Sequence, residues 1–313
     1  MRMITLGSTG LSVSRLCLGG NVFGWSADRE QSFAVLDAYV AAGGNFIDTA
    51  DAYSWWIPGN SGGDSETILG EWMTARGNRD QLVIATKVAK LPSAPGLSPD
   101  NIRSALAASL ERLQTDYVDL YYAHEDDDKV ELADVLGTFD ALVAEGKVRH
   151  IACSNFTPER VAESLEFSAA HNLASYAAVQ DLYNLMDRNP YESTMRPVVE
   201  KFGITCLPYY SLARGFLTGK YAGGAKVESV RASGVEQYQN ERGDRVLEAL
   251  GTVAAETGAP MGAVSLAWLA QQPTVSTPIA SARTLEQLDG LLAFTELELT
   301  ADHIARLDAA SAT

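Results

Sequence analysis

One recurrence constrains the fold of this chain more than anything else in it. Eight short runs of β-branched and other apolar residues follow one another along 313 residues: "RLCLGG", "NFIDTA", "LVIATKV", "YVDLYYAH", "VRHIACSN", "YAAVQDL", "ITCLPYY" and "TVSTPIA". Between most of them lie amphipathic helical stretches such as "DREQSFAVLDAYVAAG" and "SPDNIRSALAASLERLQT". Side-chain caps mark several helix starts, with Ser98 before Pro99 and Thr157 before Pro158. Glycines close several others, at Gly43, Gly77, Gly146 and Gly203. Strand–helix alternation needs crossover connections and therefore a parallel sheet. Eight such units in a chain of this length predict an α/β fold closed as a (β/α)8 TIM barrel rather than an open doubly wound sheet.

Two stretches depart from strict alternation. The start, "MITLGSTGLSVSRL", reads as a β-hairpin turning at Ser8, Thr9 and Gly10, an N-terminal plug for the bottom of the barrel. The seventh interval, from Tyr210 to Thr274, is far longer than the others. It holds a Gly-rich loop, "YAGGAKVESVRASG", and two extra helices, around "DRVLEALGTVAAETG" and "PMGAVSLAWLAQQ". A further helix is expected at the C-terminus. No linker divides the sequence, so residues 1–313 read as a single domain.

Composition bounds the function classes. The formal net charge of −16 sets a field that repels polyanions, which argues against nucleic acid and anionic membrane as partners. An anionic ligand would need local cations and donors gathered against that background. No apolar run approaches the ~18 residues of a membrane span, and no basic-then-apolar leader follows Met1, so the expectation is a cytoplasmic protein. Cys17, Cys153 and Cys206 each sit in an apolar run and read as buried thiols, not a disulfide framework. Asn155 begins a formal glycosylation motif, which carries no weight without a secretory signal. With four histidines and no metal-ligand spacing, no metal site is expected; His150 and His303 read as structural.

The polar residues at the strand ends are the chemical signal. In a barrel of this kind the active site lies at the carboxyl ends of the strands. The second run ends at Asp48, the third at Lys87 and the fourth at His124, while Tyr53 follows Asp48 by one short loop. Alone, a strand-end lysine is more often solvated than catalytic and a histidine most often structural, but four such polar ends converge on one rim. A free phenol, with a pKa near ~10, is a poor acid at neutral pH. A nearby ammonium would pull that value down, and Lys87, held by Asp48, is the expected source. His124 would orient a substrate oxygen. Such a set suits carbonyl reduction, with hydride arriving at carbon and Tyr53 giving a proton to oxygen. Trp25, Trp55 and Trp56 fall on the loops after the first two strands. At least one of these indoles is expected to line an apolar substrate slot that favours aromatic or bulky carbonyls.

At these residues the chain resembles the aldo-keto reductases, in the branch similar to bacterial general reductases and potassium-channel β subunits. The similarity runs from "LGSTGLSVSRLCLGGNVFG" to "ARTLEQL". It includes "NFIDTADAYS", "VIATKV", "VDLYYAHEDD" and "GKVRHIACSNF" in the family's order. The resemblance implies that Asp48, Tyr53, Lys87 and His124 form a catalytic tetrad. It implies that Ser154, Asn155 and Gln180 hold a nicotinamide carboxamide, and that Tyr209, next to Tyr210, stacks on its ring. Gly19, Gly20 and Asn21 would flank the cofactor, and Ser211, Leu212, Gly215, Leu217 and Lys220 would wrap its pyrophosphate. After the eighth strand, Ala280, Ser281, Arg283 and Gln287 would meet the adenosine end. There the Arg283 fork suits a 2′-phosphate, so NADPH is expected over NADH.

Three departures from the family pattern stand out. Tyr209-Tyr210-Ser211-Leu212 replaces the common Tyr-Ser-Pro-Leu. Gly290 and Leu291 stand where relatives place an acid and an asparagine. The loop after Tyr53 is lengthened by "WWIPGNSGG". Loops set substrate choice, so the expected partner is a small-molecule carbonyl of unspecified identity; the oligomeric state stays open. A second class, a cofactor-binding regulatory or redox-sensing protein with slow turnover, shares the same residues. A barrel hydrolase would need ligand clusters at the rim, which the sequence lacks.

Overall fold

The computed structural model describes residues 1–221 and 234–312. Most of the Gly-rich loop expected in the seventh interval, residues 222–233, lies outside them. Each of the eight apolar runs contains a strand of one parallel sheet. The strands are β3 (Cys17–Gly19), β4 (Phe46–Asp48), β5 (Val83–Val88), β6 (Val118–Ala123), β7 (Val148–Ser154), β8 (Tyr176–Gln180), β9 (Thr205–Cys206) and β10 (Ile279–Ala280). Their order is β10-β3-β4-β5-β6-β7-β8-β9, so every neighbour along the chain is a neighbour in space except at the seam. Backbone bonds close that seam: Cys206 N donates to Thr274 O at 2.8 Å, Ser276 N to Cys206 O at 3.1 Å and Ile279 N to Pro208 O at 3.0 Å. The architecture is the predicted (β/α)8 barrel.

The ladders are shorter than the apolar runs that announce them. "ITCLPYY" contributes only Thr205–Cys206 as a strand, because Pro208 has no N–H to offer a ladder; beyond it isolated backbone bonds continue, such as Tyr209 N to Asp181 O at 2.9 Å. The hairpin is present as β1 (Met3–Thr5) and β2 (Ser12–Ser14), in antiparallel register with Ile4 opposite Val13. Leu6 and Val13 are fully buried among Cys17, Phe46, Ala85, Leu120, Tyr122 and Leu207, the inward-facing residues of the strands. The hairpin therefore closes the lumen from below, as its sequence predicts.

Helices α1 (Arg29–Ala41), α2 (Asp64–Arg76), α3 (Pro99–Leu113), α4 (Leu132–Ala144), α5 (Pro158–His171) and α6 (Arg196–Phe202) bury their apolar faces against the outside of the sheet. The predicted caps form: Ser98 Oγ accepts from Asn101 N at 3.3 Å, and Thr157 Oγ1 accepts from Arg160 N at 3.2 Å. The seventh interval holds the expected pair, α7 (Glu241–Thr257) and α8 (Met261–Ala270). After β10 come α9 (Leu285–Leu292) and the C-terminal α10 (Ala301–Ser311), which packs on α7.

One contact in this layer bears on the site. Helix α2 carries Glu66 and approaches α3 so closely at Gly70 that a Cβ there would lie 2.0 Å from the Arg112 carbonyl oxygen. Gly70→Ala should therefore push the helices apart and lower stability by about 1–3 kcal/mol, as overpacking does. Urea denaturation measures this, and an unchanged midpoint would mean that the pair separates without cost.

Candidate active site

The polar strand ends do converge. Asp48 closes β4, Lys87 is the penultimate residue of β5, and both are buried. Lys87 uses all three ammonium protons: it donates to Asp48 Oδ1 at 2.5 Å, to Thr49 O at 2.8 Å and to Tyr53 Oη at 2.8 Å. Tyr53 Oη donates in turn to Asp48 Oδ1 at 3.3 Å. Gln180, at the end of β8, donates from Nε2 to the second carboxylate oxygen, Asp48 Oδ2, at 2.9 Å. His124 follows β6, its N–H bound to Val88 O at 2.8 Å. Its ring stands edge-on to Tyr53, with centroids 6.2 Å apart.

The electrostatics differ from the sequence expectation at one residue. Although one side of the Tyr53 ring faces a cavity, burial raises its phenol well above the ordinary value, and the Asp48 carboxylate raises it further. The predicted downward pull by Lys87 is not what the free site gives. Asp48 already neutralises that ammonium, so a phenolate would be an uncompensated charge in a desolvated place. Tyr53 is therefore held protonated. His124 is held neutral: burial pushes its imidazole well below the usual range, and the charges of Lys87 and Lys90 add to the effect. Its Nδ1 is buried without a hydrogen-bond partner among the described residues.

Above this cluster opens a cavity of about 630 Å³. Asp48, Tyr53 and His124 reach its wall, whereas Lys87 lies behind them. Trp55 and Trp56 line it too. Trp25 does not; its ring stands at 89° against Trp56, 5.5 Å away, and acts as a buttress. At the next stations of the ring, Ser154, Asn155, Gln180 and Tyr209 are all on the wall. Asn155 takes a left-handed φ of 57°, and its amide links His124 O, Ser154 Oγ and Tyr209 Oη at 2.8, 2.9 and 3.0 Å.

The arm of the cavity between the ends of β9, β10 and β3 is lined by Gly19, Asn21, Tyr210, Ser211, Leu212, Gly215, Lys220, Ala280, Ser281, Arg283 and Gln287. A Cβ at Gly19 would sit 2.6 Å from Ser281 Oγ, so glycine there keeps the first strand edge open to a ligand. Ser281 Oγ bridges to Asn21 Oδ1 at 2.7 Å. Two residues expected here are elsewhere. Gly20 is not on the wall, because it packs against Ser65 and the Asp48 carbonyl, and Leu217 is fully buried in the core. Sequence reasoning missed Lys90 and Arg214 as wall residues, and it treated Gly290 and Leu291 only as departures although they also line the arm. Arg214 sits in a run of left-handed residues, Ala213, Arg214 and Gly215, and lies 4.0 Å from the Tyr210 ring centroid.

Among the described residues the wall carries Lys90, Arg214, Lys220 and Arg283 against a single carboxylate, Asp48. On a chain of net charge −16 this is a local reversal of sign. Arg283 makes no ion pair among the described residues; its backbone N–H is held by Gln287 Oε1 at 3.0 Å, at the start of α9. A long cleft with amide groups at one end and a cluster of cations at the other fits an elongated, phosphate-bearing ligand such as a dinucleotide. Glycines at positions 19 and 215 leave room for its backbone.

Comparison with known proteins agrees with this geometry. The family model described as the aldo/keto reductase family matches residues 15–312. Protein tas of Escherichia coli (strain K12) is 34% identical, covering 96% of this chain and 94% of its own length. An oxidoreductase, YrpG, of Bacillus subtilis (strain 168) is 32% identical over 98% of this chain and 95% of its own. A norsolorinic acid reductase, stcV, of Emericella nidulans is 33% identical over 96% of this chain and 78% of its own.

Beside the cluster, Asp51 poses a separate electrostatic problem. Arg112 and Thr86 serve Glu66, with Arg112 Nε 2.7 Å from Oε2, while both Asp51 oxygens are buried with no hydrogen-bond partner among the described residues. Burial, and then the charge of Glu66, raise the Asp51 carboxyl to about 7. An unfolded aspartate titrates near ~3.9, so between these values the folded state binds more protons and stability falls as pH rises. Asp51→Asn removes that slope. Its stability relative to the unaltered protein should grow from about pH 4 to pH 7, by at most about 4 kcal/mol, and then level off. Urea midpoints across that range check it, and parallel curves for the two proteins would refute it.

Proposed function

This chain belongs to the aldo/keto reductase family and is an NAD(P)H-dependent oxidoreductase, and we propose that it uses NADPH to reduce an aldehyde or ketone to the alcohol. The observation that carries the reading is Tyr53 Oη at the cavity wall, protonated and in hydrogen-bond contact with Lys87 Nζ at 2.8 Å. Relatives named as reductases support the direction of the chemistry.

A bound nicotinamide supplies the hydride for the carbonyl carbon. The protein's own groups deal with the oxygen. As negative charge develops there, Tyr53 transfers its phenolic proton to it. The charge left on the phenol meets the Lys87 ammonium, already in place and already aimed, so no group has to reorganise. Asp48 keeps Lys87 charged and fixes its direction, and Gln180 holds the other side of Asp48. Neutral His124 offers a ring N–H to the same oxygen without competing for the proton. Ser154, Asn155 and Gln180 are the groups that would hold the carboxamide, with Tyr209 and Tyr210 beside the ring. Ser211, Leu212, Gly215, Arg214 and Lys220 would hold the pyrophosphate, and Arg283, with Ala280, Ser281 and Gln287, the 2′-phosphate. Trp55 and Trp56 form the apolar side of the substrate slot, braced by Trp25.

Tyr53→Phe keeps the ring and removes the proton donor. Turnover of an aldehyde should fall by about 10²–10⁴, with the NADPH dissociation constant little changed. Comparable turnover in the variant would remove Tyr53 from the acid role. Cofactor choice has its own test. Arg283→Ala should weaken NADPH by about 1.5–3 kcal/mol, the loss of one charge-assisted contact, and leave NADH nearly unaffected. Titration of both cofactors reads this directly, and equal losses would mean that Arg283 does not read the phosphate.

A further inference from the structure

Immediately after β5 the backbone takes an uncommon course. Ala89 is buried with φ at 111°, a region that a residue with a Cβ rarely adopts, and strain of this kind is kept where it positions something. Gly96 N donates to Ala89 O at 2.9 Å and closes the loop. The next residue, Lys90, lines the active-site cavity. Its ammonium is partly desolvated, with the side chain 33% exposed, and its partner Glu125 is 3.8 Å away and 46% exposed. That separation makes a loose pair, worth little to the fold and easily exchanged. Lys87, by contrast, has no free donor.

Topology separates Lys90 from the other cations of the wall. Arg214 and Lys220 follow β9, and Arg283 follows β10. In the closed order β5 lies three strands from β10 on one side and four from β9 on the other, across the mouth of the barrel. Lys90 stands instead between the loop after β4, which carries Tyr53, Trp55 and Trp56, and His124 at the end of β6. Its charge also depresses the His124 imidazole, which places it near the oxygen-binding end of the cavity. No role assigned above uses it.

We propose that Lys90 is a specificity-determining residue that selects carbonyl substrates bearing a carboxylate on an aromatic or other apolar frame. This rests on the carbonyl-reduction reading and adds the substrate class. The frame packs against Trp55 and Trp56, and the carboxylate takes the place of Glu125 at the Lys90 ammonium. A neutral substrate leaves the Lys90–Glu125 pair intact and gains nothing from it. The exchange occurs in a half-desolvated place, where a charge-assisted contact is stronger than at an open surface.

The test compares 3- and 4-carboxybenzaldehyde with their methyl esters, using NADPH and the full chain. Lys90→Met should lower kcat/KM for the acids by about 10- to 100-fold while the esters change by less than about threefold. Lys90→Glu should lower the acids further, the acid advantage should shrink with added salt, and the NADPH dissociation constant should stay constant. An acid-to-ester ratio that is the same in Lys90→Met as in the unaltered protein overturns the proposal, as does a change confined to NADPH affinity. Quenching of indole fluorescence by the same compounds reads binding without turnover. Acids bound through Lys90 but not reduced would keep this inference and remove the reductase reading, whereas equal quenching in both proteins removes the inference alone.

Discussion

The buried contact between Lys87 and Asp48 is the constraint on which the rest of the site depends. Taking both charges out of water is expensive, and their attraction offsets the cost only if every remaining donor and acceptor is satisfied. Here they are satisfied. Lys87 donates to Asp48, Thr49 O and Tyr53, and Asp48 receives Lys87, Tyr53 and Gln180. These partners come from β4, from the loop after it, from β5 and from β8, so the pair survives only if those strands keep their register. In that register Asp48 lies opposite Ala85, two residues before Lys87. The ion pair is thus a requirement placed on the barrel as much as a product of it.

The same pair sets the protonation of its surroundings. Because Asp48 balances Lys87, the ammonium does not ionise Tyr53 in the free site; it waits beside a protonated phenol. A general acid must hold its proton until charge appears on the acceptor, and the site then needs a cation already in contact to stabilise what is left. In the proposed reaction His124, kept neutral by burial, would add a hydrogen bond and no competing proton. The cations without an ion pair among the described residues, Arg214, Lys220 and Arg283, lie at the far arm of the cavity, where an anionic ligand would meet them. The net charge of −16 and the cationic wall are compatible because the reversal is local: among the described residues Asp48 is the only carboxylate on that wall.

Much of this was legible in the sequence, for definite reasons. Eight apolar runs separated by capped helices leave few architectures, and Ser98 and Thr157 cap their helices as their positions before proline require. Asp48, Lys87 and His124 could be grouped because consecutive parallel strands are neighbours, so residues at their ends must meet. What could not be read depends on backbone direction or on summed charge. Nothing in "TKVAKL" announces that Ala89 turns to a positive φ and brings Lys90 to the wall. Arg214 is placed by a run of left-handed residues that no composition rule signals. Trp25, Trp55 and Trp56 look equivalent in sequence, yet two face the cavity and one supports them. The Tyr53 proton depends on a summed charge: the sequence shows Lys87 nearby, but burial and Asp48 outweigh its pull.

The hairpin completes the physical account, although it lies at the opposite end of the barrel from the chemistry. Leu6 and Val13 close the lumen below Phe46, Ala85, Leu120 and Tyr122, so the layer beneath the ion pair is apolar and sealed. Tyr122 marks the change of character. Its ring is 5.7 Å from Lys87 Nζ, close enough for its face to favour the cation, while its neighbours below are hydrocarbon. Water that entered from below would solvate Lys87 and weaken its hold on Tyr53 and Asp48 by raising the local dielectric. A plug of apolar residues at the bottom therefore strengthens every electrostatic contact at the top. An opening on one side alone is what a site needs if substrate is to reach Tyr53 while solvent does not reach Lys87.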